Sequence, residues 1–361
     1  MHSISKQDPD SKEAAALRSI EYPIFDWLRF VLASVVALGH VGLIFHSDVA
    51  GNLAVQVFFS LSGWLIGGIL LSSRIDQMPR FFFNRATRIW IPYFFAVAAL
   101  YLVSAAREPI TPKWLEFLYY DVTFTHNWFT LWPGAAVALA QMPLKGTGHG
   151  FWSISVEEQF YLVAPLIIVV SRFGRNPISW ALISIALWCA QLVDFASISL
   201  GVFAATLQHS YGNIHLRPWF IAALVGSALS SLLMLTASFY NFGAPFFAIS
   251  IVLLCARPGL RGSTGVFAGA ISYPMYLNHW MGAFAVNAIA KRLDWLTQPF
   301  VGLASFALAV MIASTAYLVI DRTVMIRRND FYSPLVGRTL AILAYSLVLS
   351  GILGGILLIS N

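Results

Sequence analysis

Apolar residues run through this chain in long blocks, and polar residues gather in short breaks between them. A helix needs ~20 apolar residues to cross a bilayer. Blocks of that order lie near 24–45, 52–72, 89–105, 151–171, 178–198, 216–234, 237–256, 265–288, 298–320 and 337–359. A membrane barrel would show ~10-residue strands of alternating polarity instead. The pattern therefore predicts an all-α polytopic membrane protein. The stretch 113–140 differs, being aromatic but interrupted by Asp121, His126, Asn127 and Pro133. It reads as an interfacial or re-entrant segment. No internal repeat is visible, which counts against an inverted-repeat transporter.

Composition supports this picture. Of 361 residues, 58% are apolar and 11% charged, with mean hydropathy +0.74. A soluble domain is roughly 45–50% apolar and about 25% charged. A soluble enzyme, a disordered chain and a secreted disulfide scaffold are excluded. Cys189 and Cys255 both fall inside apolar blocks, which points to neither a disulfide framework nor a metal site. The first 20 residues are polar, and no small-residue cleavage site follows the first apolar block. That block is expected to be a retained helix, not a signal peptide.

The net charge is +6. With no basic stripe interleaved by aromatics, the excess points to cytoplasmic loops and not to nucleic acid. Lys6, Lys12 and Arg18 precede the first block. Arg74, Arg80, Arg85 and Arg88 fall in or beside the next basic loop, and Arg172 and Arg175 in a third. All three are expected on the cytoplasmic side, with a cytoplasmic N-terminus. Ten crossings then put Arg322, Arg327, Arg328 and Arg338 outside, against the same rule. One more crossing between 178 and 256 removes the conflict, and 178–207 is long enough for two short helices. The expectation is ten or eleven transmembrane helices.

Ionisable groups are costly in a membrane and face polar interiors. The first block contains Asp26, Arg29 and His40. Arg29 and His40 are eleven positions apart, so at ~100° per residue they lie within about 20° of one face. Asp26 is three before Arg29 and can pair with it. A structural ion pair explains Asp26 equally well. His40 lies deeper, away from any obvious partner on its own helix, and an imidazole can act as a base. Ser60, Ser62, Gly63, Gly67 and Gly68 in the second block read as a packing face. Arg80, Arg85 and Arg88 precede the third block. They read either as positive-inside anchors or as a phosphate clamp, since Arg matches phosphate bidentately. Glu157 and Glu158 enter the fourth block beside Trp152, Ser153, Gln159 and Tyr161. Adjacent residues point ~100° apart, so one of the two faces a given cavity. Arg217 stands at a helix start. Tyr273, Tyr276, Asn278 and His279 read first as interface packing. His126, His149, His209 and His215 lie in loops at no metal spacing, and no metal is expected.

Taken together, these segments resemble the membrane acyltransferase 3 family. FDWLR with His40 is similar to its N-terminal pattern, the family's R-X10-H element falling on Arg29 and His40. VFFSLSGWLIG, RATR, FWSISVEEQFYLVAPL and ISYPMYLNHW resemble four further family segments in the right order, from 25 to 281. The family's E-R-P element survives only as Asp321, Arg322 and Thr323, and no role is assigned to it. The resemblance implies a cytoplasmic tail over 1–23 and an acyltransferase membrane domain over 24–320. A cytoplasmic loop and a final helix would fill 321–361. The chain ends after one more span, near 359, and is therefore expected to lack the extra soluble esterase-like domain that some members of that family carry.

The resemblance also implies transfer of an acyl group, often acetyl, from a cytoplasmic acyl-CoA to a hydroxyl of a carbohydrate-type acceptor. No permanently bound cofactor is implied, and the setting would be the bacterial inner membrane. His40 would be the general base, with Arg29 orienting the site or stabilising charge and Asp26 holding Arg29. Glu157 would orient His40 or the acceptor, and Arg85 and Arg88 would grip the CoA phosphates. His40 would stand toward the outer half of the membrane, ~20 Å along the helix from Asp26. That implies acyl delivery across the membrane. A proton-coupled polytopic transporter is the alternative that intramembrane Arg, His and Glu would otherwise suggest, and an inactive scaffold is a third.

Overall fold

The computed structural model describes residues 21–44, 47–130, 141–235, 239–292 and 297–359. The N-terminal tail up to residue 20 and the end of the 113–140 segment lie outside the described residues. Every regular element among those described is helical. In chain order the helices are α1 (Pro23–His40), α2 (Ser47–Leu71), α3 (Met78–Ala105), α4 (Pro112–Val122) and α5 (His126–Thr130). Then follow α6 (Trp152–Pro165), α7 (Pro177–Cys189), α8 (Val193–Tyr211) and α9 (Pro218–Met234). Last come α10 (Tyr240–Cys255), α11 (Ser263–Ala290), α12 (Phe300–Ala316) and α13 (Pro334–Ile359).

The starts are encoded locally. Proline opens α1, α4, α7, α9 and α13, where its missing N–H has no helical partner to lose. Thr111 Oγ1 accepts from the Trp114 N–H at the head of α4, and Asn176 Oδ1 from the Ile178 N–H at the head of α7. The single block expected over 178–198 is two helices. Gln191 takes a left-handed conformation (φ 60°) between α7 and α8, where polar Gln191 and Asp194 interrupt the apolar run. At 11 and 5 residues, α4 and α5 are too short to cross a bilayer.

Six stretches are long and apolar enough to span: Pro23–His40, Val49–Leu71, Ile75–Ala105, Pro143–Val170, Phe300–Arg327 and Pro334–Leu358. The helices α7, α9 and α10 are apolar but shorter. Large apolar side chains such as Leu102, Leu343 and Ile356 are exposed. On a soluble protein a surface of this kind would be an association liability, whereas in lipid it carries no such penalty.

Small residues bring the helices together. A Cβ on Gly63 of α2 would strike the Ile198 carbonyl of α8, and one on Gly201 of α8 would strike the Ser60 carbonyl. Gly282 of α11 meets the Ser305 carbonyl of α12 in the same way. Polar groups also tie α2 to α8, on the N-terminal side of this crossing: Gln56 Nε2 donates to Asp194 (2.5 Å), and Ser197 Oγ to Gln56 (2.6 Å).

The loops sort to two ends of the bundle. At one end the Gly259 N–H donates to the Glu21 carbonyl (3.0 Å) and Arg175 to the Ser73 carbonyl (3.1 Å). Arg80 donates to Asn329 there as well. At the other end Asn241 donates to Gln191 (3.3 Å). The first end therefore gathers the basic loops that follow α2, α6, α10 and α12.

Candidate functional site

A cavity of ≈ 750 Å³ opens among α1, α2, α3, α6, α11 and the helical segment 317–327 that follows α12. Asp26, Arg29, Arg85, Arg88 and Glu157 all line it. Five of the six residues singled out in the sequence thus converge in space from three helices. A second groove of ≈ 480 Å³ beside Trp90, Phe94 and Phe95 has no titratable group in its wall.

Asp26 is buried, and its principal partner is not the expected one. Arg261, in the loop before α11, donates from Nε to one carboxylate oxygen (2.6 Å) and from Nη2 to the other (2.7 Å). Arg29 approaches only to 3.6 Å. Accepting those bonds, Asp26 holds the Arg261 guanidinium above its ordinary pKa. The close approach depends on Gly269 of α11, where a Cβ would lie 2.7 Å from an Asp26 oxygen.

Arg85 is set among aromatics, its guanidinium carbon 6.0 Å from the Phe81 ring centre and 5.8 Å from that of Tyr161. Its Nε is buried, and no protein group accepts from it. Arg88, three residues on, lines the same wall. So do Arg261 and Arg322, making five arginines around one cavity against the four acids Glu21, Asp26, Glu157 and Asp321. Excess positive charge in a low-dielectric recess focuses potential on an anion.

The two adjacent glutamates diverge. Glu157 faces the cavity, accepting from Ser62 Oγ (2.6 Å) and the Tyr161 hydroxyl (2.9 Å). Glu158 turns toward α3 and accepts from Trp90 Nε1 (2.8 Å).

His40 does not line the cavity. It stands at the end of α1, its Nδ1 3.0 Å from Nε2 of His279, with the rings stacked at 4.8 Å between centres. His279 Nδ1 lies 2.8 Å from the Tyr276 carbonyl. Tyr276 itself lines the cavity, its ring edge-on to Phe58 and its hydroxyl 2.6 Å from Ser153 Oγ. One turn of α11 therefore separates Tyr276 in the cavity wall from the histidine pair. His40 and Arg29 share a helix face as expected, yet Arg29 belongs to the cavity and His40 to the pair above it. Glu157, expected to orient His40 or the acceptor, stands in the cavity wall, and the side chain 3.0 Å from His40 Nδ1 is His279.

Residues 22–317 match the model of the acyltransferase 3 family, an acyltransferase domain. The chain belongs to this family. It is 27% identical over 164 residues to the peptidoglycan O-acetyltransferase OatA of Listeria monocytogenes, covering 43% of this chain and 25% of that protein. It is 24% identical over 332 residues to the putative membrane-bound transacylase BcsY of Komagataeibacter xylinus, covering 82% and 81%. It is 23% identical over 348 residues to the putative O-acetyltransferase SACOL0978 of Staphylococcus aureus, covering 80% and 56%. The chain thus spans a quarter of the Listeria relative and just over half of the Staphylococcus one. No solved structure matches it. With its apolar helices and this family, the chain is an integral membrane protein.

Within this acyltransferase 3 chain, sequence reasoning missed Arg261, Asp321, Arg322 and the pairing of His279. Asp321 carried a signal, since it is an acid at the end of an apolar block. Directly after α12 it closes a wide π turn over Tyr317–Asp321, a feature frequent at functional sites, and its Oδ1 is buried without a hydrogen-bond partner. Arg261 gave no signal. It is one basic loop residue among many until α11 is docked on α1.

Proposed function

We propose that this chain is an O-acyltransferase that moves an acyl group, acetyl in the first instance, from acyl-CoA to a hydroxyl of a carbohydrate-type acceptor. The observation that carries the reading is the arginine-rich cavity, with its buried, unpartnered Arg85 Nε, one helical turn from the His40–His279 pair. The acceptor class follows the relative named as a peptidoglycan O-acetyltransferase.

Arg85 and Arg88 hold the CoA phosphates, since guanidinium matches phosphate bidentately. Arg29 lies on the path from there to His40, ~16 Å along α1. The acyl thioester reaches the histidine pair past Tyr276 and Phe58. The tautomers follow from the partners. The Tyr276 carbonyl can only accept, so His279 Nδ1 carries the hydrogen and Nε2 the lone pair. His40 Nδ1–H then donates to His279 Nε2, and His40 Nε2 holds the lone pair of a base. That nitrogen takes the proton of the acceptor hydroxyl as the oxygen attacks the carbonyl carbon and the carbon–sulfur bond breaks.

Eleven helical crossings, counting α7 and α8 separately, bring the basic loops after α2, α6, α8, α10 and α12 to one side. By the positive-inside rule that side is cytoplasmic, as is the N-terminus. The donor enters from it, and the acceptor meets His40 in the outer half of a bacterial inner membrane.

The test is purified protein in liposomes with radiolabelled acetyl-CoA and chitotetraose as acceptor. Release of CoA and label on the sugar, both lost in His40→Ala, are expected. Absence of CoA release with any acceptor sinks the enzyme reading and leaves the proton-coupled transporter.

A further inference from the structure

Asp121 and His126 lie in the segment between α3 and α6, at the end of α4 and the start of α5. Each is 1% exposed. Phe124, between α4 and α5, takes a left-handed conformation (φ 54°) that is strained for an aromatic residue. That turn folds α5 back, so that His126 Nδ1 lies 2.6 Å from Asp121 Oδ1. The other carboxylate oxygen accepts from the Tyr101 hydroxyl (2.6 Å), and Gln159 of α6 donates to the Phe124 carbonyl (2.8 Å). A strained turn is thus clamped from two helices to hold one Asp–His contact. The far nitrogen of His126 continues the line, its Nε2 lying 3.4 Å from Nδ1 of His149.

His149 approaches the first pair. The carbonyl of its neighbour Gly150 accepts from the Tyr276 hydroxyl (3.1 Å), which pins this loop to α11 one turn before His279. His149 is thereby held one residue before the carbonyl that Tyr276 bonds, with its ring 5.6 Å from that of His126. We propose that Asp121 and His126 are positioning residues that fix His149 as a second proton-handling group beside His40. This rests on the transferase reading above.

The hydrogen bonds dictate the tautomers. A carboxylate only accepts, so His126 Nδ1 carries the hydrogen and Nε2 the lone pair. His149 Nδ1–H then points at His126, and its Nε2 holds the lone pair. The series is the orienting logic of a Ser-His-Asp triad carried one imidazole further. In the reaction the acceptor hydroxyl gives its proton to the imidazoles while its oxygen forms the new bond to the acyl carbon. The carbon–sulfur bond breaks, CoA leaves as thiolate, and that thiolate finally takes the proton. Between these events the positive charge on His40 and His149 is stabilised by Asp121 through His126. A merely structural Asp–His tie would have no use for a third histidine in line.

The experiment measures CoA release by full-length protein in liposomes, with acetyl-CoA as donor and chitotetraose as acceptor probe. Asp121→Asn, His126→Gln and His149→Ala are each expected to lower kcat about 100-fold or more, the scale of proton-transfer assistance. The KM for acetyl-CoA and the thermal stabilisation by CoA should stay at wild-type values. Added imidazole should restore part of the rate in His149→Ala and none in Asp121→Asn. His149 is only half-buried, so its variant carries the test even where the buried pair is needed for folding. Variants at wild-type rate, alongside a dead His40→Ala, overturn this inference and leave the transferase reading standing. Loss of the CoA-induced stabilisation in all three, with no imidazole rescue, assigns them a structural role and also overturns it. Wild-type protein that releases no CoA overturns both.

Discussion

Arg261 reaches across 235 positions of sequence to hold both carboxylate oxygens of Asp26. The consequence falls on Arg29. Arg29 keeps only a 3.6 Å approach to the shared Asp26, so its guanidinium faces the cavity less fully neutralised than in a simple Asp26–Arg29 pair. Arg261→Ala should draw Asp26 onto Arg29, because a buried carboxylate without a partner is costly. The expected loss is about 1–3 kcal/mol, as for a hydrogen bond to a charged group, together with slower transfer. Arg261→Lys should restore little, since a lysine cannot make the fork. Thermal unfolding of the single variants and of Arg261→Ala with Arg29→Gln closes a double-mutant cycle. Additive effects would show that Arg29 does not take over Asp26.

Removing the phosphate clamp should act on binding. Arg85→Ala and Arg88→Ala are each expected to raise the KM for acetyl-CoA roughly tenfold or more, from charge-assisted bonds of about 1.5–3 kcal/mol. The kcat should change less. Thermal stabilisation by CoA should disappear in the double variant. If these arginines only anchor α3 at the membrane surface, the stabilisation will persist.

The His40–His279 bond makes a different split. His279→Phe keeps an aromatic ring but removes the acceptor that fixes the His40 tautomer. Its kcat should fall by about tenfold or more, less than the roughly 10²–10⁴-fold expected for His40→Ala, with the donor KM unchanged in both. Steady-state CoA release against donor concentration separates the two parameters. An equal and complete loss in both variants would make His279 a reacting group in its own right.

The convergence of Asp26, Arg29, Arg85, Arg88 and Glu157 was legible because each is an ionisable residue in or beside an apolar block. Polar groups at such positions face a common interior. Glu157 could be preferred over Glu158 for the cavity only through the family motif, since periodicity says no more than that they diverge. The partners were not legible. Arg261 with Asp26, and His279 with His40, are contacts of α1 with α11 and the loop before it that no local spacing encodes. The break at Gln191 was half-legible. The charge pattern demanded an extra crossing between 178 and 256, but the apolar run across Cys189 hid where the chain turns. Asp321 was passed over because its motif lacked the proline, although an acid closing an apolar block was signal enough.

Two neighbouring glycines of α2 test how tightly the cavity wall is built. Gly63 faces α8, where a Cβ would strike the Ile198 carbonyl and lie 3.1 Å from the Gly201 Cα. Both obstacles are backbone, so they cannot turn aside as a side chain would. Gly63→Ala should force α2 and α8 apart, costing about 1–3 kcal/mol as overpacking. Ser62, which holds Glu157, would move with it. Gly68 is exposed and meets nothing within 4 Å. Gly68→Ala should therefore be neutral or stabilising by up to ~1 kcal/mol, the helix-propensity gain of alanine over glycine. Heating both variants in detergent and following the folded fraction by size-exclusion chromatography gives the comparison. If Gly63→Ala matches wild type, α2 and α8 are not in backbone contact at this crossing, and the cavity wall is looser than that contact requires.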